Sequence, residues 1–284
     1  MKSLHKAILL LITSAFFFAL MNMFVQLSGD VPTIQKTFFR NLIALAVASA
    51  VLLKNRTPAL PPKGARLDVL LRSAAGYIGV ICNFYALGSL NLSDASLLNK
   101  MSPFFAMIFS IFLLKEKANK AQWAIILTAF VGVLFVIKPS FGNAQLLPSI
   151  VGLLGGISAG CAYTLVRRAS LHGAQGSSIV FCFSVFSCVV TLPFLIFAYS
   201  PMTLYQLLML IAAGLCAAVG QFCITAAYSH APAKEVSIYD YTQILFSAAI
   251  GFVVMHTLPD ALSVVGYVII IAAAFAMFRY NNRK

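Results

Sequence analysis

A chain of 284 residues that is 61% hydrophobic and 10% charged, with mean hydropathy +0.94, lacks the polar residues to clothe a soluble globule. Its net charge of +13 does not mark a nucleic-acid partner, because the basic residues lie between apolar runs rather than in one patch. The composition fits a chain that crosses a bilayer, where each span takes ~20 residues of helix.

The apolar runs predict ten helices, near 7–27, 32–53, 68–88, 94–114, 121–138, 149–168, 177–199, 203–227, 235–256 and 261–279. The first follows a short basic head (Lys2, His5, Lys6). It is too long for a cleavable signal and no small-residue cleavage site follows it, so it reads as a retained first helix. Pro32, Pro148 and Pro201 sit where helices begin, positions at which a missing amide donor costs little. The stretch 54–66, KNRTPALPPKGAR, is a polar loop that cannot lie in lipid. Cys82, Cys161, Cys182, Cys188, Cys216 and Cys223 all fall in apolar segments without ligand spacing and read as small hydrophobes.

With the N-terminus inside, 15 of the 20 Lys and Arg residues fall on the inner side and only Lys138 on the outer. Lys36, Arg40, Arg72 and Lys100 lie within helices. The positive-inside rule therefore predicts N-in and C-in, with a multi-pass chain in the cell (inner) membrane. Five helices per half is an odd number, so a duplicated second half would enter inverted. A shift of 141 residues pairs Asp94 with Glu235, Ser96 with Ser237 and Lys138 with Arg279, and Gly79 with Gly220. The expected architecture is all-α, ten transmembrane helices as two inverted five-helix repeats, 1–140 and 141–284. Such repeats characterise secondary transporters.

The order and spacing of short motifs carry a family resemblance across essentially the whole chain. They are Phe18-Ala19-Leu20-Met21-Asn22 in helix 1 and Gln35 followed by Phe38-Phe39-Arg40-Asn41 in helix 2. Tyr85-Ala86-Leu87, Ser93-Asp94-Ala95-Ser96 and Ser102-Pro103 come next, then Leu113-Leu114-Lys115-Glu116-Lys117 and Gly132. With these, the chain resembles the EamA-like ten-helix members of the drug/metabolite transporter superfamily. The second half departs from the pattern: Thr257 stands where the helix-ending glutamate would recur, and Ile244 where the proline would. The resemblance implies a secondary carrier of small metabolites, often an exporter, with a central cavity between the halves.

Ionisable groups inside a membrane cost ~2.5–3.5 kcal/mol at a helix centre, so each needs an explanation. Lys36 and Arg40 share a face of helix 2, and Arg40 lies ~12 Å below the outer end at Pro32. Lys100 lies ~9 Å below Asp94. Together they form a candidate wall for a substrate carboxylate or phosphate. The alternatives are that Lys36 snorkels to headgroups and Arg40 bonds helix carbonyls or a lipid phosphate. Asp240 lies ~9 Å in from Lys234 on the opposite side, beside Tyr239 and Tyr241, and is the candidate proton acceptor for coupling. The two depths differ by ~12 Å in a ~30 Å core, so a direct Lys100–Asp240 pair is not expected. Asn22, Asn83, Tyr85, Asn99, Tyr163, Gln221, Tyr228 and Tyr241 supply candidate cavity-lining polar groups, with interhelical hydrogen bonding as the competing reading. Gly152, Gly156 and Gly160 form a small-residue packing face, and Arg167, Arg168, Lys115, Lys117 and Lys120 read as inner-side anchors.

No HExxH, Walker A or CxxC motif occurs, and the four histidines are scattered, so neither an enzyme, a cofactor nor a metal site is expected. The expected partners are a small solute and the lipid bilayer, with homodimerisation left open. The expected function is secondary active transport of an amino acid or other anionic or zwitterionic metabolite by alternating access. A passive channel and a lipid-handling protein are the alternatives.

Overall fold

The computed structural model describes residues 2–115, 119–137, 145–230, 237–257 and 259–282. Expectations attached to Glu116, Lys117, Lys138, Lys234, Glu235, Arg283 and Lys284 concern residues outside that set. The elements are α1 (Lys2–Leu27), α2 (Thr33–Asn55), α3 (Arg66–Leu87), α4 (Leu92–Asn99), α5 (Ser102–Leu113) and α6 (Lys120–Ile137). The second half contributes α7 (Leu146–Leu171), α8 (Gly176–Phe197), α9 (Leu204–His230), a 3-10 turn (Ser237–Tyr241), α10 (Thr242–Met255) and α11 (Ala261–Asn282). Among the described residues, nine helical stretches are long and apolar enough to cross a bilayer, and Tyr239–Met255 is a shorter apolar tenth. Large side chains such as Leu53, Phe112 and Phe197 face outward, as a lipid-facing surface requires. Trp123 is also exposed.

The fourth and ninth spans are not the straight helices that the sequence predicts. Pro103, near the start of α5, has no N–H to donate to the carbonyl four residues back, and its ring crowds that carbonyl. The span therefore breaks at Lys100-Met101. The corresponding tightening in the second half is the 3-10 turn, formed without a proline, with Ile244 in its place. There the packing of the fully buried Asp240 and Tyr241 accompanies the tighter coil.

Helices of one half pack mainly on helices of the other. α1 runs along α9 and α3 along α7; α2 lies on α8, and α6 on α11. α4 and α5 lie on α7, as the 3-10 turn and α10 lie on α1. Exchanging each helix for its counterpart leaves this set of pairs unchanged, which is what a two-fold relation between inverted halves demands. Each half is thus open without the other. With lipid on the outside there is little hydrophobic drive between helices, so close van der Waals contact holds the bundle.

Candidate functional site

A cavity opens between the halves, walled by α1, α2, α3, α7, α8 and α9 and closed off by residues beside the α4–α5 break and at the start of α10. Two arginines dominate it. Arg40 of α2 and Arg72 of α3 are 1% and 2% exposed. Both stand over the ring of Phe183 on α8, with guanidinium carbons 5.7 and 4.2 Å from its centroid. Arg40 Nη1 donates to Asn41 Oδ1 at 2.5 Å. Arg40 Nε, Arg72 Nε and Arg72 Nη1 have no acceptor among the described residues. No carboxylate among the described residues lies within ion-pair distance of either side chain. Guanidinium does not deprotonate in proteins, so the cavity carries two positive charges without a carboxylate partner among the described residues.

The rest of the wall is polar but neutral. Asn83 Nδ2 donates to Asn22 Oδ1 at 3.1 Å, and Asn22 Nδ2 to Ser96 Oγ at 3.3 Å. Ser96 in turn meets Ser247 Oγ at 2.8 Å, so one hydrogen-bonded chain links α3, α1, α4 and α10. Asn83 Oδ1 and Gln243 Oε1 remain buried acceptors without a donor among the described residues. Asn99, Tyr163 and Gln221 also line the space. Gln221 Nε2 donates to Thr225 Oγ1 at 3.2 Å, on the shared helix face that their spacing predicts. The rings of Tyr163 and Tyr228 stack 5.1 Å apart and nearly parallel.

The separation expected between Lys100 and Asp240 is wrong. Lys100 Nζ lies 2.7 Å from Asp240 Oδ1, and both side chains are almost wholly buried. The depth estimate fails at both ends. Asp94 is not at the surface: it is 7% exposed and accepts a hydrogen bond from Tyr267 Oη at 2.7 Å, so α4 begins already sunk. Asp240 lies in a 3-10 turn, which rises ~2.0 Å per residue rather than ~1.5 Å. The broken α4–α5 span and the turn before α10 thus meet at one buried ion pair. Lys100 also sits 5.8 Å from the centroid of Phe18, a cavity-lining ring.

Other expected positions move too. Tyr85 is 40% exposed and does not line the cavity. Asn83 does, and two residues along a helix are ~200° apart, so both could not face inward. Tyr241 is buried against Phe104 rather than in the cavity wall. Lys36 does not reach for headgroups: Nζ donates to Gly29 O at 2.7 Å and Val25 O at 3.3 Å, capping the end of α1. Arg167 donates to Ser229 O at 3.2 Å, and Arg168 Nε lies 3.3 Å from Asp68 Oδ1. These two arginines therefore tie α7 to α9 and α3, which is more than anchoring. His172 Nδ1 is 2.8 Å from Asp68 Oδ2, completing a cluster around a carboxylate that is itself buried. Asp68→Ala is expected to lower stability by about 1–2 kcal/mol, a modest loss because both basic partners retain solvent contact. Thermal unfolding in detergent measures it, and an unchanged midpoint would refute it.

Arg72 is the residue that sequence reasoning missed. It had been counted only among the helix cations, although an ionisable group at membrane depth is a functional candidate by default.

Among the described residues, nine membrane-length apolar helices and a shorter tenth, interlocked as two repeats around a polar central cavity, have the form of a multi-pass membrane transporter. The sequence profile of the EamA-like transporter family matches residues 5–138 and again 146–279, one match per half. The chain belongs to the EamA-like transporter family, within which it acts as a small-molecule transporter. It is 32% identical over 278 residues to the pseudopaline exporter CntI of Pseudomonas aeruginosa, covering 97% of each chain. It is 27% identical to solute carrier family 35 member G1 of Homo sapiens, over 92% of this chain and 75% of that one. Identity to a riboflavin transporter of Vibrio cholerae is 27%, over 86% and 83% of the two chains. A solved crystal structure matches with TM-score 0.74 at 15% identity, covering 98% of this chain and 99% of that one, a likeness of fold alone.

Proposed function

We propose that this protein is a secondary carrier that exports a small anionic metabolite by alternating access, the two repeats rocking about the central cavity. The observation that carries the reading is the pair of buried guanidiniums of Arg40 and Arg72 on the cavity wall, neither with a carboxylate partner among the described residues. Charge buried without a partner is costly, and a bound anion would offset that cost. Similarity to the pseudopaline exporter over nearly the whole chain supports export, and makes pseudopaline the first solute to try. The distribution of Lys and Arg supports N-in/C-in placement in the cell (inner) membrane. Asp240 is the proposed proton-coupling group, with Lys100 as the partner it would exchange for a proton.

Proteoliposomes loaded with pseudopaline test this. Saturable efflux with counterflow is expected of a carrier, whereas flux without saturation would show a channel and lipid-analogue scrambling would show a lipid-handling protein. Arg40→Gln and Arg72→Gln are each expected to lower efflux at least about tenfold, the equivalent of one lost charge-assisted contact of ~1.4 kcal/mol or more. Asp240→Asn is expected to remove the dependence on a pH gradient. Arginine variants with normal folding and normal flux for every anion tried would refute the anionic reading.

A further inference from the structure

We infer that the cavity recognises a solute with two carboxylates and, between or beside them, a hydroxyl or amine that donates a hydrogen bond. This rests on the anionic substrate proposed above and narrows its class. The argument is a polarity map of the wall. Arg40 and Arg72 bring two full positive charges, and the other polar side chains on the wall are amides and a tyrosine, with no acid among them. A monocarboxylate would leave one buried charge without compensation. Two carboxylates balance both.

The spacing suits two anionic groups on one small molecule. Each guanidinium carbon lies within 5.7 Å of the Phe183 centroid, which keeps the two cations close together. The free donors are divided between them, with Nε on Arg40 and both Nε and Nη1 on Arg72. Each of the two neighbouring guanidiniums therefore needs an acceptor of its own. Phe183 holds the like-charged pair together, since a cation over a ring face is attracted by its quadrupole.

The third element comes from unsatisfied groups of the opposite kind. Asn83 Oδ1 on α3 and Gln243 Oε1 on α10 are buried acceptors with no donor among the described residues, and both residues line the cavity. Carboxylates cannot satisfy them, being acceptors themselves. A hydroxyl or amine N–H on the solute can. Asn83 cannot readily turn away, because its Nδ2 is engaged with Asn22 in the hydrogen-bonded chain. A site built to hydrogen-bond a substrate donor rejects the analogue that lacks it, since the acceptor is then left buried and unpaired.

The purified full-length protein can be titrated by calorimetry with acetate, succinate, malate and inorganic phosphate. Succinate is expected to bind at least about tenfold more tightly than acetate, and malate more tightly than succinate. Arg72→Gln is expected to erase the preference for succinate over acetate. Asn83→Leu is expected to erase the preference for malate over succinate while keeping that for succinate over acetate. The wild-type ligand series decides the matter even if a variant fails to fold. Equal affinity for acetate and succinate overturns the inference while leaving an anion carrier in place. Phosphate binding more tightly than either dicarboxylate overturns it in favour of a phosphorylated solute. Binding of no anion at all overturns the anionic carrier itself.

Discussion

Replacing Lys100 with alanine is expected to lower stability by about 3–5 kcal/mol and to abolish coupled transport. Asp240 is fully buried, its Oδ1 rests on the lysine ammonium at 2.7 Å, and its Oδ2 has no partner among the described residues. Removing the lysine therefore leaves a wholly buried carboxylate with little to hold it. The charge must then either persist uncompensated or be neutralised by a proton, and both cost free energy relative to the pair. The double variant Lys100→Met with Asp240→Leu separates structure from function. Apolar replacement of a buried pair is often neutral or stabilising, so its unfolding midpoint should return close to that of the wild type. Its transport should not return, because nothing is left to take up or release a proton. Unfolding in detergent reads the first quantity and proteoliposome flux along a pH gradient the second. A double variant with wild-type coupled flux would show that the pair serves architecture only.

This pair also marks where the sequence was legible and where it was not. Span number, repeat architecture and membrane residence follow from rules that act on any chain in a bilayer: helix length and the burial of backbone polar groups. These are written in composition and punctuation. The depth of a single side chain is not, because it depends on where a helix starts and how tightly it is coiled. Asp94 buried against Tyr267 and Asp240 in a 3-10 turn both defeat a straight-helix ruler. Pro103 offered a visible signal for one of the two irregularities, whereas Ile244 gave none for the other. Charge counting had a similar limit. Lys36, Arg40 and Lys100 taken together favoured an anion, yet Lys36 is spent on carbonyls and Lys100 on Asp240. Of the four cations within helices, Arg40 and Arg72 are the two without a carboxylate or backbone-carbonyl partner among the described residues, and Arg72 carries no role in the sequence reading. The pairing of cations with acceptors is a tertiary property. Tyr85 erred for a simpler reason: helical geometry alone forbade it from sharing a face with Asn83.

The second large effect expected is from Gly156→Ala, which should cost about 1–3 kcal/mol and cut transport more than tenfold. In an unobstructed helix the same change would stabilise by about 1 kcal/mol, because alanine is the better helix former. The sign reverses here because of what lies opposite. A Cβ on Gly156 would stand 2.5 Å from Leu98 O, and one on Gly160 2.6 Å from Phe105 Cβ and 2.7 Å from Ser102 O. α7 thus presses these two glycines against the broken α4–α5 span. Leu98 O is also the acceptor for Met101 N across the break, so it cannot yield without disturbing that turn. Asn99 and Lys100 follow directly, one on the cavity wall and the other in the ion pair, and a wedge at Gly156 would displace both. Since the obstruction is a backbone oxygen, shortening a side chain cannot relieve it: Leu98→Ala should fail to rescue Gly156→Ala. Gly64→Ala, where a Cβ meets nothing within 4 Å, should change neither stability nor flux. Unfolding midpoints and flux for the three variants check this together, and a Gly156→Ala protein as stable and active as the wild type would mean that α4 gives way freely at the break.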